Sequence, residues 1–181
     1  FDLGFEVVVT EVVQYVRDIA RGWLIVELEK DSKKISLPAY LKVQLYKKNA
    51  KREYFTIMEG LEGGKKSSVK LQDDGSSYLA TGNPYTDAVY MKYSISKKTL
   101  EIGGRKYATT DDPDAPWEKD MYDVEIPDAP HRFGRAYIAK HALSWFRVGH
   151  SGDRYIHTGS HSLGCITVIE KDKWEEIYGV L

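Results

Sequence analysis

Two of the five histidines, His157 and His161, lie within nine residues of the only cysteine, Cys165. A thiol becomes a nucleophile at neutral pH only when a base or a positive environment helps to form the thiolate. His157 precedes Cys165 by eight residues, and His161 stands between them. The apolar pieces Tyr155-Ile156 and Ile166-Thr167-Val168 read as short buried strands joined by a tight polar loop. With those strands side by side, His157 is expected opposite Cys165, within hydrogen-bond reach. Gly164 leaves room beside the thiol, and the N–H groups of Gly164 and Cys165 are candidate donors to an oxyanion. Loss of one such donor typically costs about 3–4 kcal/mol of barrier. This set suits acyl transfer through a thioester. Two other readings stay open on the residues alone. Cys165 can be a packed, apolar-like side chain, or His150, His157, His161 and Cys165 can hold zinc. Their spacings of 7, 4 and 4 match no usual zinc pattern.

The elements that must position these groups are mostly strands. Leu41, Val43 and Leu45 alternate with Lys42, Gln44 and Tyr46, and Tyr54–Met58 returns as the second arm of a hairpin. Phe5–Val13, Trp23–Leu28, Ile35–Leu37, Val89–Ile95, Leu100–Ile102 and Tyr122–Ile126 carry strand patterns. Arg135–Ala139 and Ser144–Val148 are shorter strand candidates. Glu62–Ser68 reads as a Gly/Lys/Ser loop, and its Gly63-Gly64-Lys65 lacks P-loop spacing. Trp174, Ile177, Tyr178 and Leu181 form one helical face, with Gly179 as a candidate C-cap. The expected fold is mainly β with a short C-terminal helix. Residues 1–38 are expected as a β-rich extension, within or beside the domain formed by 39–181.

Composition limits the rest. A net charge of −1 gives no electrostatic support for nucleic-acid binding. No apolar run approaches the ~18 residues of a membrane span. One cysteine excludes an internal disulfide. Phe1 opens the chain, as expected of a fragment or a processed form, so the compartment is not decided by a leader peptide.

Ile156-His157-Thr158-Gly159, followed by Ser162-Leu163-Gly164-Cys165-Ile166, resembles the active-site signature of the L,D-transpeptidase catalytic-domain family. That signature runs His, a small residue, a variable loop, then Ser/Thr-His-Gly-Cys-Ile/Val-Arg/Asn. The resemblance implies a β-sandwich-like fold over residues 39–181. It also implies attack by cysteine on a peptidoglycan stem peptide at an L-to-D bond. The thioester passes to a second amine, forming a cross-link, or to water. By position, Cys165 is the nucleophile and His157 its base. The Thr158 carbonyl orients the imidazole, Ser162 supports the loop, and Gly164 and Cys165 donate to the oxyanion. No cofactor or metal is implied. The location implied is the periplasm or cell envelope, or secretion.

Three departures accompany the match. Leu163 stands where a second histidine is usual, Thr167 stands where Arg or Asn is usual, and the loop after His157 is short. They leave room for an L,D-carboxypeptidase, a secreted antibacterial toxin aimed at peptidoglycan, or a wall-binding module without turnover. His131, Arg147, His150, Arg154 and His161 are candidates to meet an anionic stem peptide. The oligomeric state is not indicated by the sequence.

Overall fold

The structure is a computed structural model and describes residues 7–18, 23–82, 88–125, 130–149 and 152–181; at 7–10 only the backbone is described. It is mainly β with one short C-terminal helix, as the alternation and the Trp174–Leu181 face lead one to expect. The chain divides into two compact units, Phe1–Ala88 and Val89–Leu181.

The first unit is a seven-stranded sheet. Its strands are β1 (Val7–Val16), β2 (Trp23–Leu28), β3 (Lys34–Pro38), β4 (Lys42–Lys48), β5 (Arg52–Ile57), β6 (Lys66–Lys70) and β7 (Leu79–Ala80), in the order β3-β2-β6-β5-β4-β1-β7. β1 pairs with β4, and β2 pairs with β6, so the described part of residues 1–38 is woven into the sheet. Alternation sets its faces: Val43 and Leu45 of β4 and Phe55 and Ile57 of β5 are buried, while Gln44, Tyr54 and Thr56 are only partly so. The Asn49 carboxamide accepts from the Lys51 and Arg52 N–H groups at 2.9 and 2.8 Å and fixes the turn between these strands. β6 corrects the loop expected over Glu62–Ser68. Its Lys and Ser residues pair with β5, and Ser67, Ser68 and Val69 are buried there.

The second unit holds β8 (Met91–Ser94), β9 (Thr99–Ile102), β10 (Arg105–Thr110), β11 (Phe146–Arg147), β12 (Tyr155–Thr158) and β13 (Ile166–Val168), in the order β11-β12-β13-β10-β9-β8. Val124 makes only an isolated bridge to Val148, in place of the strand expected over Tyr122–Ile126; Ile126 lies outside the described residues. Arg132–Ala136 forms a 3-10 turn where Arg135–Ala139 had a strand pattern. The helix α1 (Trp174–Val180) includes Gly179, which is therefore not its cap. Trp174 and Ile177 are fully buried against Phe146, Ile156, Ile166 and Val168. Among the described residues, no helix is long and apolar enough to cross a membrane.

β12 and β13 correct the expected hairpin. They are parallel neighbours, with Ile156 aligned to Ile166, His157 to Thr167 and Thr158 to Val168. A parallel pair ordinarily needs a crossover of a dozen or more residues. Here the connection Gly159–Cys165 is seven residues long.

Candidate active site

Strand periodicity places the chemistry on one face of the second unit's sheet. Phe146, Ile156, Ile166 and Val168 point into the core with α1. The residues alternating with them, Trp145, Arg147, Tyr155, His157, Cys165 and Thr167, share the opposite face. His157 is thus opposite Thr167, and Cys165 precedes β13 by one residue, diagonal to His157. Both are enclosed, with His157 3% and Cys165 7% exposed.

Each ring nitrogen of His157 has a partner. Nδ1 lies 2.8 Å from the Thr158 carbonyl, and Nε2 lies 3.2 Å from the Thr167 hydroxyl. The Thr167 hydroxyl is also 3.2 Å from the carbonyl of His161. The ring stacks on Trp145 at 4.0 Å, and Trp145 also stacks with His131 at 4.7 Å. Tyr155 meets both His131 and Trp145 edge-on. Thr158 donates its hydroxyl to the Val168 carbonyl and ties the ends of the parallel pair.

The loop is shaped around Ser162. Its hydroxyl donates to the Cys165 carbonyl at 2.7 Å and accepts from the Gly164 N–H at 3.1 Å. Gly164 has φ +104°, in the left-handed region where a side chain is strained. Its N–H, expected to face an oxyanion, is held by Ser162, which leaves the Cys165 N–H as the candidate donor. Gly159 is required for a different reason. A Cβ there would come within 2.9 Å of the Tyr137 ring and 3.1 Å of Thr167 Cγ2.

The thiol donates to the Asp153 carbonyl at 3.9 Å, not to the imidazole. Burial pushes the Cys165 pKa up, opposed by the Tyr155 backbone N–H and the Arg154 guanidinium. Burial also pushes the His157 pKa down, opposed by the Thr158 carbonyl, while His131 adds to the depression. Both shifts favour a neutral thiol beside a neutral imidazole in the resting protein. Arg154 is fixed by the carbonyls of Ala115 at 3.1 Å and Pro116 at 3.2 Å, with its guanidinium over the Trp117 ring.

Of the sequence candidates, the structure gathers Cys165, His157, Thr158, Ser162, Gly164, Arg154 and His131. His161 contributes its backbone carbonyl, whereas its residue surface is exposed. Arg147 pairs with the buried Glu125 at 3.5 Å. His150 lies outside the described residues. Among those described, no three His, Cys, Asp or Glu side chains gather into a metal site. Leu163, in the position of the usual second histidine, is 92% exposed. Trp145 and Thr167 are the members that spacing missed. Thr167 stands on β13 directly across from His157, and Trp145 stands one residue ahead of β11; these positions were the available signal. No protein-family model, curated protein or solved structure matches the chain.

Proposed function

We propose that the second unit is a cysteine acyl-transfer enzyme of the L,D-transpeptidase type, acting on peptidoglycan stem peptides at the periplasmic or outer side of a cell. The observation that carries this reading is the shared face at β12 and β13, with His157 on β12, Cys165 one residue ahead of β13, and Ser162 clamping the turn between them. Catalysis then begins with His157 taking the Cys165 proton. Thiolate sulfur attacks the acyl carbonyl, and the Cys165 N–H receives the developing oxyanion. The departing amine takes the proton held by His157. An incoming amine, or water, attacks the thioester as His157 accepts its proton; the C–S bond breaks, and the proton returns from His157 to the Cys165 sulfur. The positive charge of Arg154 favours the thiolate and an anionic donor peptide.

Mass spectrometry of muropeptides after incubation tests the reading. New cross-links between diamino residues indicate transfer, and shortened stems indicate hydrolysis, the carboxypeptidase or toxin form of the same chemistry. The Cys165→Ala variant is expected to lose both products while remaining folded. Unchanged muropeptides with wild type and a suitable donor would sink both forms. That outcome would favour a wall-binding module without turnover, to which one observation already points: the resting thiol bonds to the Asp153 carbonyl instead of His157.

A further inference from the structure

We propose that Thr167 is a positioning residue for His157: with the Thr158 carbonyl holding the Nδ1–H form, Thr167 completes the ring's hydrogen bonding only once Nε2 carries a proton. Its catalytic meaning rests on the acyl-transfer reading above, but its hydrogen-bond logic does not.

At rest the ring and its partners have more contacts than protons. The partner of Nδ1 is a carbonyl oxygen, which can only accept, so Nδ1 carries hydrogen. A neutral ring then presents Nε2 as a bare acceptor. The group facing it is the Thr167 hydroxyl, which has one proton and two acceptors at 3.2 Å, Nε2 and the His161 carbonyl. In the neutral state one of those two contacts is left without a hydrogen. Protonation of Nε2 removes the conflict. Nδ1–H donates to Thr158, Nε2–H donates to Thr167 Oγ1, and the Thr167 hydroxyl turns to donate to His161. Three contacts then have three protons. Hydrogen bonds from a charged donor are roughly twice as strong as neutral ones. The site is therefore one hydrogen bond short at rest and complete in the state that follows proton uptake from Cys165. In that transfer the S–H bond breaks, its electron pair stays on sulfur, and an N–H bond forms at Nε2. Thr167 is fully buried, so water does not compete for either contact.

The titratable or charged groups around the ring are few. Tyr155 shares its strand, Arg147 stands on the flanking β11, Cys165 stands one residue ahead of β13, and His131 stacks with Trp145. The Tyr137 ring and the Thr167 methyl both stand close to Gly159.

Imidazole nitrogen NMR across pH, with iodoacetamide alkylation of Cys165, tests the proposal on the full chain. Thr167→Val keeps the shape and removes the hydroxyl. It is expected to make His157 about tenfold harder to protonate, one pH unit lower in its titration. Alkylation at neutral pH is expected to slow by a similar factor. Thr167→Ser should restore both. A Val variant with the wild-type titration overturns the proposal. Should Val fail to fold, the wild type decides: a neutral His157 with its proton on Nε2 overturns it equally. Muropeptide turnover is read separately. A shifted titration in a protein without turnover keeps Thr167's role and removes the acyl-transfer reading.

Discussion

The two units bury polar groups in different ways. The first has an aliphatic core around Phe55, Leu37, Ile57 and Val43, built by strands as long as the ten residues of β1. Its most enclosed charged side chain, Glu53, is held by Lys48 at 2.8 Å and the Ser77 hydroxyl at 2.5 Å. The second has an aromatic core around Trp174 and Phe146, and carries His157, Thr158 and Thr167 buried on strands of four and three residues. Glu53 is closed by fixed donors. The His157–Thr167 pair is closed by protons that can change places. The second unit also closes Asp111 with fixed donors, Tyr93 and Lys98, so the two-state contact is particular to the short strands beside Trp145.

The largest expected effect that separates the units is on turnover. His157→Ala should lower it at least ~100-fold, the scale of a general base, measured on the muropeptide product. A near-normal rate would move the base elsewhere and erase the contrast. Phe55→Ala addresses the other unit. Removal of a fully buried phenyl ring costs about 3–5 kcal/mol, read from the denaturant midpoint. Under native conditions the Cys165 alkylation profile should stay as in wild type, because Phe55 belongs to the first unit's core. A profile that follows the Phe55 change would show that the proton-exchanging face depends on the aliphatic core.

The smallest effect is on stability against pH. The folded His157 pKa lies below its ordinary value of 6.5 because of burial. As pH falls, the unfolded chain therefore binds this proton first. The contribution of neutral His157 is complete above about pH 6.5 and is lost as pH falls through the lowered folded value. His157→Gln cannot titrate, so its denaturant midpoint should fall less between neutral and mildly acidic pH. Equal slopes in the two proteins would mean that the buried ring is not linked to folding.

Much of this was legible in the sequence where neighbours decide structure. Alternation over Leu41–Tyr46 and Tyr54–Met58 led to β4 and β5, and the Trp174–Tyr178 spacing led to α1. Thr158 and Ser162 stand beside the groups they were expected to contact. What long-range pairing decides was not legible. Lys66–Lys70 has loop composition, yet it is accepted between β2 and β5 as a strand. The spacing of His157 and Cys165 fits a hairpin as well as a parallel pair. Only the register against Ile166 distinguishes them, and it places Thr167, read as a departure from the family pattern, beside the ring. The His131–Trp145–His157 stack likewise joins residues from three separate segments.

The short parallel crossover has a mechanical consequence. From the end of β12 the chain must run back along the whole strand before β13 can begin, and it does so with seven residues, Gly159–Cys165. The connection is a compact loop, folded around Ser162, with the sulfur at its far end. The number of links, as much as their identity, fixes where the sulfur comes to rest relative to the ring. One added link would let it drift along the strand axis by up to a residue's rise, about 3.3 Å, more than the separation of two bonded atoms.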